Sequence, residues 1–238
     1  MDMTFYLFLE QTLNGFQLGV MLFLMAAGLT LVFGIMNMIN LAHGSFYMIG
    51  AYVAAYVSNV TGSFFIGVAV ALPAAALVGM IVETIALRKL YKHNHLDQVL
   101  ATFGLILFFN ELTSIIWGPQ ALFVAIPPLF SGSVELIPNV PYPIYRLVII
   151  GVGLLVALLM RTLIVKTRTG MLIRAGASNR EMVKALGVDI DRLYTIVFGI
   201  GTLLAGLAGA IAGPILATEI GMGENIMILT FVVIIVGG

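Results

Sequence analysis

The sequence predicts an all-α membrane protein, a polytopic helical bundle of about seven visible spans, and three observations carry that reading. The first is that seventy-two consecutive residues, Gln11 to Val82, contain no Asp, Glu, Lys or Arg, and only His43 among them can gain a charge near neutral pH. A soluble domain cannot present such a stretch, because its surface needs solvated groups, whereas a bilayer removes that need. The second is composition: 61% hydrophobic and 9% charged residues, with a mean hydropathy of +1.12, are far from the averages of soluble domains. The third is periodicity. The apolar runs do not alternate with polar residues as the strands of a membrane barrel do, so the spans are helices, whose backbone groups are satisfied internally.

About 20 apolar residues cross the hydrocarbon core as a helix. On that measure the spans run from Leu13 to Ile35, Gly44 to Val60, Phe64 to Leu87, Gln98 to Ile116, Ile144 to Ile164 and Leu193 to Ala217, and a seventh begins near Ile226. The first is too long for a signal-peptide core and lacks a basic region before it, so it is read as a retained helix. The seventh reaches Gly238 too short to cross, so the chain is expected to be C-terminally truncated. Residues 1–238 form one membrane domain. Arg88, Lys89 and Lys92 follow the third span, and Arg161, Lys166, Arg168, Arg174, Arg180, Lys184 and Arg192 lie between the fifth and sixth. Alternating crossings put all ten inside, leave only Arg146 outside, and set the N-terminus outside. The long loop from Gly118 to Pro143 contains no Lys or Arg.

Between the first two spans, Asn37, Asn40 and His43 fall at three-residue spacing, bracketed by Gly34 and Gly44. A helical backbone would put them on one face. Polar groups at membrane depth mark a pathway in many membrane proteins, and broken helices expose backbone for binding. The alternative is capping, with Asn37 closing one helix and Asn40 opening the next.

The loop 166–192 holds Ser178-Asn179-Arg180-Glu181, a Ser followed three residues later by Glu, which reads as a capping box. Gly187 supplies a helix stop. A helix of about two turns is expected between them, with Met182, Val183 and Leu186 on one face and Arg180 and Lys184 on another. So short a helix is marginal alone in water, so its apolar face needs a cover, either bilayer headgroups or a partner protein. Further on, Ala205, Gly209 and Gly213 repeat at four-residue spacing, as do Gly206 and Ala210, which predicts close helix packing in lipid. Pro214 is expected to kink that helix. Glu111 is expected to pair with Arg146, and Glu83 to snorkel or pair with Arg88.

Neither acid has the company of a proton relay. The chain lacks a GxxxxGK[ST] phosphate loop, an H-E-x-x-H zinc motif and a G-x-S-x-G elbow. With no cysteine there is no disulfide framework, thiolate nucleophile or Cys-based metal site, and zero net charge offers no case for nucleic acid. No catalytic residue, metal site or cofactor is called for.

The stretch GLTLVFGIMNMINLAHGSFYMIGAY, Gly28 to Tyr52, resembles the signature of the LivH-type permeases of ATP-binding-cassette importers for branched-chain amino acids. The segment Arg174 to Pro214 resembles the cytoplasmic loop and following helix of the same family, and the likeness runs from about residue 12 to the end. It implies a permease domain in a bacterial or archaeal cytoplasmic membrane, working with two ATPase subunits, a second homologous permease and an extracytoplasmic substrate-binding protein. It identifies loop 166–192 as a coupling-helix loop. Glu181 and Gly187 match the family's Glu-Ala-Ala-x-x-x-Gly motif, while Met182 and Val183 replace its two alanines. On this likeness Ser178, Glu181, Met182, Val183, Leu186 and Gly187 contact an ATPase, which binds the ATP, and Asn37, Asn40 and His43 serve the zwitterionic substrate. Permeases for urea and short amides are similar, and an ATP-independent carrier or channel is the reading from another class.

Overall fold

The computed structural model describes residues 3–137 and 140–237. In chain order the helices are α1 (Met3–Met36), α2 (His43–Thr61), α3 (Phe64–Val82), α4 (Arg88–Leu90), α5 (His95–Trp117), α6 (Ile144–Lys166), α7 (Arg168–Ser178), α8 (Arg180–Ala185), α9 (Ile190–Ala212) and α10 (Met222–Gly237). A π-helical turn, Glu83–Leu87, joins α3 to α4 without a break. Among the described residues five helices are long and apolar enough to cross a bilayer: Tyr6–Met36, Phe64–Leu90, His95–Trp117, Ile144–Lys166 and Ile190–Ala212. Helix α2 has 19 residues with several polar ones among them, and α10 has 16. Each expected span falls on a helix, except that the sixth, expected to reach Ala217, stops at Ala212.

Small residues decide which helices lie inside. The most apolar stretch of α9 is 72% buried within the protein, against 17% for α5. A side chain on Gly201 would strike Val32 and the Gly28 backbone, one on Gly206 would strike Ala75, and one on Gly209 would strike the Tyr47 carbonyl. Without those side chains, α9 comes up against α1, α2 and α3 at backbone distance, as the four-residue spacing predicts. Helix α6 lies on α1 and is tied to α9 where Tyr145 donates to the Ile211 carbonyl at 2.8 Å. Pro214 ends α9 instead of kinking it: the helix stops at Ala212 and the chain turns. A proline offers no N–H to continue the ladder and restricts the residue before it.

The long loop before α6 carries structure of its own, which the residue pattern did not reveal. Strands β1 (Ser133–Ile137) and β2 (Val140–Pro143) pair antiparallel, Val134 opposite Tyr142, with an irregularity between Glu135 and Ile137. Leu122 bridges to Thr218, tying this loop to the segment between α9 and α10.

The end of α1, the end of α3 and the start of α9 meet at one end of the bundle. Tyr194 donates to the Ile35 carbonyl at 3.4 Å, and the Tyr91 hydroxyl lies 3.5 Å from the Met36 sulfur. Helices α7 and α8 stand there too. The chain order places the ten cations of the two basic loops at this basic end and Arg146 at the other.

A broken core helix and a capped helix at the basic end

Helix α1 ends at Met36, and Asn37 takes a left-handed backbone, φ 51°, as its N–H donates to the Phe33 carbonyl at 2.8 Å. Asparagine tolerates that region better than other residues with a side chain. Asn37 thus closes α1, with its side chain exposed. Asn40 does not open α2. The residue in the cap position is Ala42, and no side chain caps the helix. Residues 37–42 are not helical, so three-residue spacing does not align Asn37, Asn40 and His43. Asn40 and His43 are both 0% exposed, and no nitrogen or oxygen of either side chain makes a hydrogen bond within the protein.

Helix α2 begins in the middle of the bundle. Phe46, in its first turn, packs on Phe109 and Phe198, each deep within its own helix. The His43 Nε2 lies 3.0 Å from where a side chain on Gly28 would begin, and Gly28 sits two turns inside the end of α1. After α1 reaches the basic end, the chain thus turns back and runs as a non-helical segment to mid-depth before α2 starts. Backbone of this kind is tolerated at membrane depth where protein or an aqueous cavity surrounds it.

At the basic end, α8 is held by its own caps. Ser178 is the last residue of α7, and the capping box does not form. The cap is Asn179, whose side chain accepts from the Met182 N–H at 3.0 Å. Asn179 lies one residue after Ser178 in the same sequence, and as strong a cap former it was the signal passed over. Gly187 stops the helix as expected, at φ 85°. Its N–H donates to Lys184 at 3.0 Å and that of Val188 to Val183 at 3.3 Å, the paired bonds of a glycine C-terminal cap. Met182, Val183 and Leu186 do not share one face. Val183 is buried against the bundle, whereas Met182 is 59% and Leu186 76% exposed. Residues four apart stack on one side of a helix, so Met182 and Leu186 form the outward pair. Glu181 lies in the first turn, exposed.

At the same end of the bundle, the Glu83 carboxylate is buried and surrounded by donors. Arg88 donates through Nε at 3.2 Å and Nη2 at 2.9 Å, Tyr91 at 2.8 Å and Thr195 at 2.8 Å. Glu83 therefore pairs with Arg88 and does not snorkel. Burial first, and Glu83 beside it, push the Tyr91 phenol well above its ordinary pKa, so it stays a neutral donor. Tyr91 and Thr195 carried no sequence signal, because only the fold brings them to Glu83. The Glu111–Arg146 pair does not form. Arg146 donates to Asn14 on α1, and Glu111 is exposed on α5, which packs on α2. Among the described residues no three His, Asp or Glu side chains gather as a metal site would require.

A bundle of spanning helices, interrupted at its centre and carrying a short capped helix at one end, defines a polytopic membrane protein. The chain belongs to the branched-chain amino acid transport permease family: the model described as branched-chain amino acid transport system / permease component matches residues 11–238. It is 33% identical over 226 residues to the high-affinity branched-chain amino acid transport system permease protein LivH of Escherichia coli K12, covering 90% of this chain and 73% of that one. It is 28% identical over 221 residues to BraD of Pseudomonas aeruginosa, a permease protein of the same description, covering 87% and 71%. A probable LivH of Methanocaldococcus jannaschii is 30% identical over 230 residues, covering 92% and 70%. No solved structure matches the chain.

Proposed function

We propose that this chain is a permease subunit of an ATP-driven importer for branched-chain amino acids. The basic end faces the cytoplasm of a bacterial or archaeal cell and the N-terminus faces outside, in keeping with the segregation of cations. Two ATPase subunits act beneath the complex, a second homologous permease completes the path, and an extracytoplasmic binding protein delivers the amino acid to the other end.

The observation that carries this reading is the exposed pair Met182 and Leu186 on α8. A helix of six residues is not stable by itself, yet this one is capped at both ends and anchored by Val183. It is rigid where its outward apolar face is, which suits a lever docked in an apolar groove of an ATPase. Through Asp189 and α9 its movement reaches the bundle core. In the break above, Asn40 and His43 make no hydrogen bond in this conformation, and separation of the helices would let them, with Asn37, meet the zwitterionic substrate.

Met182→Glu combined with Leu186→Glu tests the lever. Both positions are exposed, so the permease should fold and melt as the parent does, since surface changes shift stability by within about 0.5 kcal/mol. The ATPase subunits should no longer copurify in stoichiometric amount, and uptake should be lost. An opposite charge at Glu181 should uncouple ATP hydrolysis from uptake. Full uptake by the double variant, with its ATPases bound, overturns the reading.

A further inference from the structure

Two helices begin inside this bundle, and they begin side by side. Gly44, in the first turn of α2, and Gly223, in the first turn of α10, touch backbone to backbone, so a side chain on either would force the helices apart. A crevice with room for about one water in this conformation lies at this crossing, lined among others by Leu41, Ser45, Met48, Ile106, Asn110 and Glu224. The Asn110 Nδ2 donates to the Glu224 Oε1 at 2.6 Å. Asn110 lies seven residues before the end of α5 at Trp117, which at 1.5 Å per residue is about 10 Å below that end. Glu224 shares that depth, well within a core about 30 Å thick.

Glu224 is nevertheless exposed on the protein surface. Ionisable residues at membrane depth face a bundle interior or an aqueous cavity, not lipid. The face made by α2, α5 and α10 is therefore turned to an aqueous path or to protein. The chemistry gathered there matches a zwitterion with an apolar side chain. Glu224 is an acceptor for an ammonium. The start of α2 carries no side-chain cap, and the positive end of a helix favours a carboxylate. The fully buried, unpartnered Asn40 immediately precedes Leu41 at the same helix start. Leu41, Met48 and Ile106 supply apolar walls.

We propose that this crevice widens into a substrate subsite on the translocation path when α5 parts from α2 and α10, in which Glu224 takes the α-ammonium of the amino acid, Asn110 positions Glu224, and Leu41, Met48 and Ile106 take the aliphatic side chain. The proposal rests on the importer reading above. It places the ammonium contact on α10, apart from Asn37, Asn40 and His43.

The chain contains no cysteine, so single-cysteine variants carry no background from it. The complete importer, reconstituted in liposomes with a cysteine-free set of partners, is treated with a membrane-impermeant, positively charged methanethiosulfonate. Glu224→Cys and Asn110→Cys should be modified much faster than Leu155→Cys, which lies 56% exposed on the apolar surface of α6. Leucine delivered by the binding protein should slow the reaction. In parallel, Glu224→Gln keeps the oxygen that Asn110 needs, so it should assemble with its ATPases in stoichiometric amount. Its maximal leucine uptake should fall about tenfold or more, and Glu224→Asp should recover part of it. Reaction at Glu224→Cys as slow as at Leu155→Cys, or wild-type uptake by Glu224→Gln, overturns the subsite. Disulfide formation from Glu224→Cys to single cysteines introduced into the second permease, without reagent access, also overturns it and makes the face an interface. If the unmodified assembly shows no ATP-dependent uptake of branched-chain amino acids, it is the importer reading that fails.

Discussion

At the basic end of the bundle the carboxylate of Glu83 is ringed by donors from three side chains, whereas at the start of α2 the side chains of Asn40 and His43 meet none. Both regions bury polar groups among apolar helices. The first does so completely, and it ties the end of α3 to the start of α9. The second leaves every side-chain nitrogen and oxygen of two residues unpaired, and such groups cost about 1–3 kcal/mol each when buried. A satisfied network fixes one arrangement; an unsatisfied one is stable only while the surroundings hold it, and it gains by moving. The contrast separates a rigid anchor at the basic end from a break that is ready to change partners.

Removing the anchor should have the largest effect. Glu83→Ala leaves Arg88, Tyr91 and Thr195 without their shared acceptor. Breaking a buried pair costs about 3–5 kcal/mol. The Arg88 side chain is 34% exposed and can turn partly to water, so a loss of about 2–3 kcal/mol is expected. Thermal unfolding in detergent measures it, and Glu83→Gln should recover part of the loss because its oxygen still accepts. An unchanged melting temperature in Glu83→Ala would remove one side of the contrast.

Packing around the break comes next. Gly209→Ala drives a methyl group into the Tyr47 carbonyl, an overpacking that costs about 1–3 kcal/mol. Gly15→Ala meets nothing within 4 Å on α1, and should be neutral or stabilise by up to about 1 kcal/mol through helix propensity. Equal melting temperatures for the two variants would mean that α9 does not rest on α2 at backbone distance.

Most of the bundle was legible in the sequence because lipid imposes length and composition on each span. The charge-free run, the ten clustered cations and the Gly and Ala spacing of α9 each report a local rule. What stayed hidden depends on contacts distant in sequence. Glu111 and Arg146 share a side of the membrane, but sharing a side does not bring the two side chains together. The three-residue spacing of Asn37, Asn40 and His43 presumed a helix that Asn37 itself ends. At α8 both the helix and its glycine stop were legible. The true cap was missed because Ser178 and Asn179 are both good cap formers, and packing of Val183 inward decided which face was left outside. Glu224 gave no signal as a lone acid near the start of a short apolar run. Its place beside Asn110 comes from the Gly44–Gly223 crossing.

The smallest change in stability, and the sharpest test of the contrast, is expected from Asn40→Leu. The two side chains are similar in size, and the amide forfeits no hydrogen bond in this conformation. Replacing an unsatisfied buried polar group by an apolar one of similar shape is neutral or stabilising, by about 1 kcal/mol here. On the proposed function, stability should hold or rise while amino-acid uptake falls, the reverse of what a structural residue shows. A melting temperature lowered as far as in Glu83→Ala would mean that Asn40 is held by hydrogen bonds after all. Unchanged uptake would mean that residues 37–42 are fixed scaffold, and that any movement starting at α8 reaches the path through α9 alone.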